Sequence, residues 1–144
     1  MRNRDGFTLL EMLIVMFLIA LIMGLSTMFF ANALPSAKIS AVARELSATI
    51  HHAHQLAQVE GVAKKLDIDL DAKQYGIEGR ERKSIASDIT IRVLDPFAGE
   101  IRNGIYSLKF QPAGAGQGGT IILTGKKKEV RIIIDPVVGS VVMQ

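Results

Sequence analysis

The chain has 144 residues, 22% charged and 49% hydrophobic, with no cysteine, a formal net charge of +3 and a mean hydropathy of +0.28. That is enough chain for one domain, too apolar for a disordered tail, and it has only one long apolar run where a polytopic transporter needs several. Without cysteine, disulfide scaffolds, thiolate zinc sites and thiol catalysis are excluded.

The chain opens on Arg2 and Arg4, followed by Gly6-Phe7-Thr8-Leu9-Leu10-Glu11. No charged residue then occurs between Met12 and Ala37. A helix through this run is long enough to cross about 30 Å of hydrocarbon. Only a helix satisfies its backbone at that depth. The arginines ahead of it place the N-terminus in the cytoplasm and the polar remainder across the membrane. A secretory signal peptide has a shorter apolar core, although Ala31-Asn32-Ala33 has the look of a weak cleavage site. Glu11 inside the apolar stretch counts against that reading, because charge at membrane depth is usually paired or functional.

Asn32 and Pro35 mark a bend or a short break in the helix. Beyond them Ile39, Val42, Ala43, Leu46, Ile50, Ala53 and Ala57 recur at helical spacing, with Lys38, Arg44, Glu45, Ser47, His51, Gln55 and Gln58 on the other face. Gly61 is a natural stop, so the helix is expected from Phe7 to Glu60. From Lys64 the period changes. Leu66, Ile68 and Leu70 alternate with Asp67, Asp69 and Asp71, which predicts a half-buried strand, and a turn at Ala72-Lys73 leads into Gln74–Glu78. Ile89, Ile91 and Val93 alternate again before a turn at Asp95–Gly99. Ile105–Phe110, Thr120–Thr124, Glu129–Ile134 and Ser140–Met143 read as strands, with Gly125-Lys126-Lys127 a tight connection between two of them. The expected fold is α+β, a long N-terminal helix with its second half packed on an antiparallel sheet.

The string Gly6–Glu11, its basic leader and the apolar run resemble the class III signal sequence of type IV pilins and type II secretion pseudopilins. Downstream, Phe110-Gln-Pro112-Ala-Gly114, Gly118-Gly119-Thr120 and Gly139-Ser-Val141 look like the closing hairpins of the H-type minor pseudopilins and the related FimT/FimU minor pilins. Major pseudopilins carry an Asp-Pro-Trp-Gly calcium-loop string, of which Asp95-Pro96-Phe97 is a faint echo. The resemblance implies a type IV pilin-like fold divided into a leader over 1–6, a transmembrane and filament-core helix over 7–34 and a periplasmic head over 35–144. It implies cleavage by prepilin peptidase between Gly6 and Phe7 and N-methylation of Phe7. The leader takes Arg2, Arg4 and Asp5 with it, so the net charge falls by one. Glu11, one helical turn from Phe7, can then neutralise the new amine, its own or a neighbour's. The implied partners are other pseudopilins, major and minor, the peptidase and an inner-membrane assembly platform. The implied location is the bacterial inner membrane, crossed once, with the head in the periplasm. The implied role is a tip-region subunit of the pseudopilus that drives folded proteins through the outer membrane. A minor type IV pilin serving pilus assembly, motility or DNA uptake, and a plain anchored domain, stay open beside it.

Other groups weigh less. His51 and His54 are close enough on a helix to share a metal, but no third ligand is evident and a solvated polar face explains them. Asp67, Asp69, Asp71 and Glu78 have EF-hand-like spacing, yet Ala72 stands where a glycine is needed and the alternating Leu and Ile demand a strand; a weak cation site between acidic strands stays open. The Gly114–Gly119 stretch lacks the Lys-Ser/Thr of a phosphate loop and reads as a mobile connection. Lys126-Lys127-Lys128 with Arg131, and Arg80 with Arg82 and Lys83, are basic clusters without aromatic interleaving, so nucleic-acid binding is not the expected role. No catalytic constellation, metal or cofactor is expected.

Overall fold

The computed structural model describes residues 7–113, 116–126, 128–136 and 141–144, without the side chains of residues 26–35. The chain divides into two compact units, Met1–Leu34 and Pro35–Gln144.

Helix α1 spans Leu9–Glu60. It begins two residues later than expected because Thr8 is its cap. Pro35 lies within α1 and does not end it. In the first unit every described side chain from Phe7 to Leu25 is exposed, and nearly all are large and apolar. A helix that is apolar all round belongs in another apolar environment rather than in water. Among the described residues no helix is long and apolar enough to cross a membrane. The expected span over 7–34 runs through residues 26–34, whose side chains lie outside the described ones.

In the second unit α1 presents Ile39, Ala43, Leu46, Ile50, Ala53 and Ala57 to the core, all buried, at the three- and four-residue spacing of one face. Gly61 ends the helix with φ +67, a conformation that costs glycine nothing. Among the described residues nine strands follow: β1 (Lys64–Asp69), β2 (Gln74–Ile77), β3 (Lys83–Ser84), β4 (Thr90–Asp95), β5 (Gly99–Ile101), β6 (Ile105–Phe110), β7 (Gly119–Thr124), β8 (Glu129–Ile134) and β9 (Val141–Met143). They form two antiparallel sheets, β3-β2-β1-β6 and β5-β4-β7-β8-β9.

The α+β class is as the sequence predicts. The antiparallel pairing is divided between two sheets, and β3 and β5 are strands that the alternation did not announce. Register follows burial. Leu66 stands between Ile77 and Leu108, and Ile68 between Tyr75 and Tyr106, so the inward face of the first sheet is continuous. Ile91, Val93, Ile121, Leu123, Val130 and Ile132 do the same in the second sheet, and both faces join the α1 residues in one apolar cluster. The polar face of α1 also reaches both sheets: Lys83 pairs with Glu45 at 2.7 Å, and Lys128 donates to Ser40 Oγ at 3.0 Å.

Candidate functional site

The start of α1 is where the sequence places its most specific string. Gly6 lies outside the described residues. Phe7 is 72% exposed and precedes the helix. Thr8 is the N-cap: its Oγ1 accepts from the Glu11 N–H at 3.2 Å, and its carbonyl accepts from the Met12 N–H at 3.2 Å. Thr8-Leu9-Leu10-Glu11 therefore has the Thr-x-x-Glu spacing of a capping box. Sequence reasoning missed this role of Thr8, although the spacing was there to be read. Glu11 is exposed in the first turn, where the helix dipole favours negative charge. The arrangement is a stiff, capped helix start that carries a carboxylate one turn in and an apolar surface beyond it.

A second polar centre lies in the head. Asp95 Oδ1 accepts from the N–H groups of Phe97 and Ala98, each at 2.8 Å, and Oδ2 accepts from the Tyr106 hydroxyl at 2.8 Å. Asp95 is only 8% exposed. The Ala98 N–H above all, then the Tyr106 hydroxyl and the Phe97 N–H, hold its carboxyl below the usual carboxylate range. Burial first, and the bond to Asp95 second, push the Tyr106 hydroxyl well above its ordinary value. The pair is thus a carboxylate and a neutral phenol, which locks the turn between β4 and β5. That lock presents Phe97 to solvent, 93% exposed, beside an open groove of about 810 Å³ that includes Leu94, Ile133, Ile134 and Pro136. Gly118 and Gly119 close the same region. A Cβ at Gly118 would lie 2.8 Å from Pro136 Cδ, and one at Gly119 would lie 3.2 Å from the Tyr106 hydroxyl. Of the glycine-rich stretch, Gly114 and Ala115 lie outside the described residues. The part from Gly116 is packed, with Gly116 bridged to Phe110, so the expected mobile connection is corrected there.

The aspartates of the EF-hand-like spacing are spent on contacts within the head, one across strands and two at turns. Asp67 accepts from Ser107 Oγ at 2.6 Å and pairs with Lys65 at 3.1 Å. Asp69 Oδ1 accepts from the Asp71 and Ala72 N–H groups, and Asp71 from the Gly104 N–H at 2.9 Å. Leu66, Ile68 and Leu70 are buried as the strand reading requires.

The histidines divide. His51 is exposed beside Gln55, but His54 is only 6% exposed, tilted against the Phe110 ring at 5.9 Å. The expectation of a solvated face is corrected for His54, which falls on the same arc as Ile50 and Ala57. Among the described residues no group of three His, Asp or Glu could hold a metal ion.

The basic clusters also divide. Lys83 is paired with Glu45, and Arg131 with Glu129 at 3.0 Å. Arg92 bridges Glu100 and Glu129 across the outer face of the second sheet. Lys126 and Lys128 stay exposed, and Lys127 lies outside the described residues.

Residues 1–27 match the prokaryotic N-terminal methylation motif. The chain is also similar to the Type II secretion system protein H of Xanthomonas campestris pv. campestris, 24% identical over 140 residues that cover 97% of this chain and 83% of that protein. No solved structure matches it. The two likenesses agree with the pilin-like, H-type pseudopilin resemblance read from the residues, one at the N-terminus and the other along nearly the whole chain.

Proposed function

We propose that the chain is an H-type minor pseudopilin, a structural subunit of a periplasmic pseudopilus that drives folded proteins through the outer membrane. The observation that carries this reading is the capped helix start, Thr8 to Glu11, placed directly before an apolar helix surface whose described side chains, through Leu25, are exposed. The methylation-motif match and the likeness to a type II secretion protein H support it.

In this reading residues 7–34 anchor the precursor in the inner membrane, with the head, 35–144, in the periplasm. Prepilin peptidase cuts between Gly6 and Phe7, and Phe7 is N-methylated. The cut leaves an ammonium at the positive end of the α1 dipole, an unfavourable place for it. Glu11 supplies the offsetting charge one turn away, either to its own amine or to that of the next subunit. Satisfying that charge across subunits, while the apolar faces leave lipid for one another, makes the step into the filament favourable. Other pseudopilins and the inner-membrane platform are the contacts this requires.

The test is deletion of the gene followed by complementation. Deletion is expected to trap exoproteins in the periplasm, and the wild-type gene to restore export. The mature wild-type protein is expected to begin at N-methylated Phe7 by mass spectrometry. Glu11→Ala is expected to be cut normally but to restore little export, because it fails to enter filaments. Normal export after deletion, with loss of twitching or transformation, would instead mark a minor pilin of a type IV pilus. The methylation motif serves that system too.

A further inference from the structure

The turn between β7 and β8 lies against the first part of the head's helix. The Gly125 N–H donates to the Lys128 carbonyl at 2.8 Å, which closes the turn. A Cβ at Gly125 would sit 3.3 Å from Ile39 Cδ1, so the turn backbone rests on α1 at that residue. Lys128 Nζ reaches Ser40 Oγ at 3.0 Å, across 88 positions of sequence. Covalent reach alone keeps Ile39 within about 18 Å of Leu34, the last residue of the apolar segment. Around the contact stand Lys38, Arg44, Lys126 and Lys128, all exposed.

The nearby carboxylates offset only part of this charge, Asp88 serving Lys38 first and Lys126 more weakly. Asp88 pairs with Lys38 at 2.7 Å. Glu129, next to Lys128, is turned to Arg92 and Arg131. Cations therefore outnumber carboxylates on a surface that the fold assembles from two distant segments. Among the described residues no aromatic side chain is exposed beside them for a base to stack on.

We propose that Lys38, Arg44, Lys126 and Lys128 form a docking surface for the anionic phospholipid headgroups of the leaflet from which the apolar segment emerges. The proposal rests on the reading of residues 7–34 as a membrane anchor. A head tethered this close to a bilayer meets it at high effective concentration, and lysine and arginine near an anionic leaflet are attracted over roughly a Debye length, about 10 Å at 0.1 M salt. The surface would hold the head down on the membrane until assembly lifts it away.

The test uses the full chain in lipid nanodiscs of phosphatidylcholine alone or mixed with phosphatidylglycerol. Amine acylation of each lysine is read by mass spectrometry, with Lys109, exposed on β6, as the internal reference. Labelling of Lys126 and Lys128 relative to Lys109 is expected to slow about fivefold in the anionic discs alone, and to recover at 1 M salt. In the Lys126→Gln/Lys128→Gln variant the protection of Lys38 is expected to weaken as well. Equal labelling in both discs would overturn the proposal, as would protection that ignores lipid charge. Protection given by added DNA but not by anionic lipid would overturn it in favour of a nucleic-acid surface. A chain that elutes free of discs of either composition would overturn the anchor reading itself, and this proposal with it.

Discussion

Asp95 shows how much one side chain can hold in place. Its two oxygens take three hydrogen bonds, two from the turn that follows it and one from a buried tyrosine on the next long strand. Because its pKa is held below the unfolded value of about 3.9, the stability it lends is fully present above that pH and is lost as pH falls through the folded value. Asp95→Asn is expected to destabilise the head by roughly 1.5–3 kcal/mol at pH 7, the range for bonds to a charged group, and to flatten the decline below pH 4. Urea unfolding of the detergent-solubilised chain across pH measures both. The tyrosine band of the near-ultraviolet signal reports the head alone, since the chain has no tryptophan and its two tyrosines are Tyr75 and Tyr106. An unchanged acid limb in the variant would assign that decline to other carboxylates. The turn at Asp95 was legible because Asp-Pro with a nearby glycine is local chemistry. The bond to Tyr106 was not, because it depends on where β6 lies relative to β4. His54 was misread for a related reason: polar neighbours at His51, Gln55 and Gln58 concealed that its own position shares an arc with the core.

Most strands were readable within their own segments. β1, β4, β6, β7 and β8, with six residues each, carry enough alternation to declare themselves. β3 and β5, with two and three, do not. The division into two sheets is a matter of pairing between distant segments, which a period within one segment does not encode. Gly118-Gly119 was noticed as a family string, but its reason is steric and lies elsewhere in the chain. Gly118→Ala would press a Cβ against the rigid ring of Pro136, beside the end of β8, and is expected to cost about 1–3 kcal/mol of stability. Gly125→Ala meets only the tip of Ile39 and is expected to cost less in the same urea titration. If the two variants unfolded at the same midpoint, the packing at Gly118 would not be the constraint described.

At the scale of the molecule, the high mean hydropathy is a local property. Among the described residues the exposed apolar surface is concentrated on 7–25, while the apolar cluster of the head begins at Ile39. A chain that starts at Pro35 is therefore expected to fold unaided, with the near-ultraviolet signal of the intact protein. Tyr75 in it is expected to ionise only near pH 12, where burial and the Glu45 charge have moved it. Loss of that signal on truncation would mean that the first unit contributes to the head's stability.

The way α1 enters the head also has a mechanical consequence. A pull delivered through the first unit arrives at Pro35, on the element whose buried residues share one cluster with both sheets. Such a load cannot be relieved by peeling an edge strand one hydrogen bond at a time. It must drag Ile39, Ala43, Leu46 and Ile50 out of their places together, in shear, with the Glu45–Lys83 and Ser40–Lys128 contacts broken in the same motion. In the proposed role, a pull on the first unit would be met where helix and both sheets share one core.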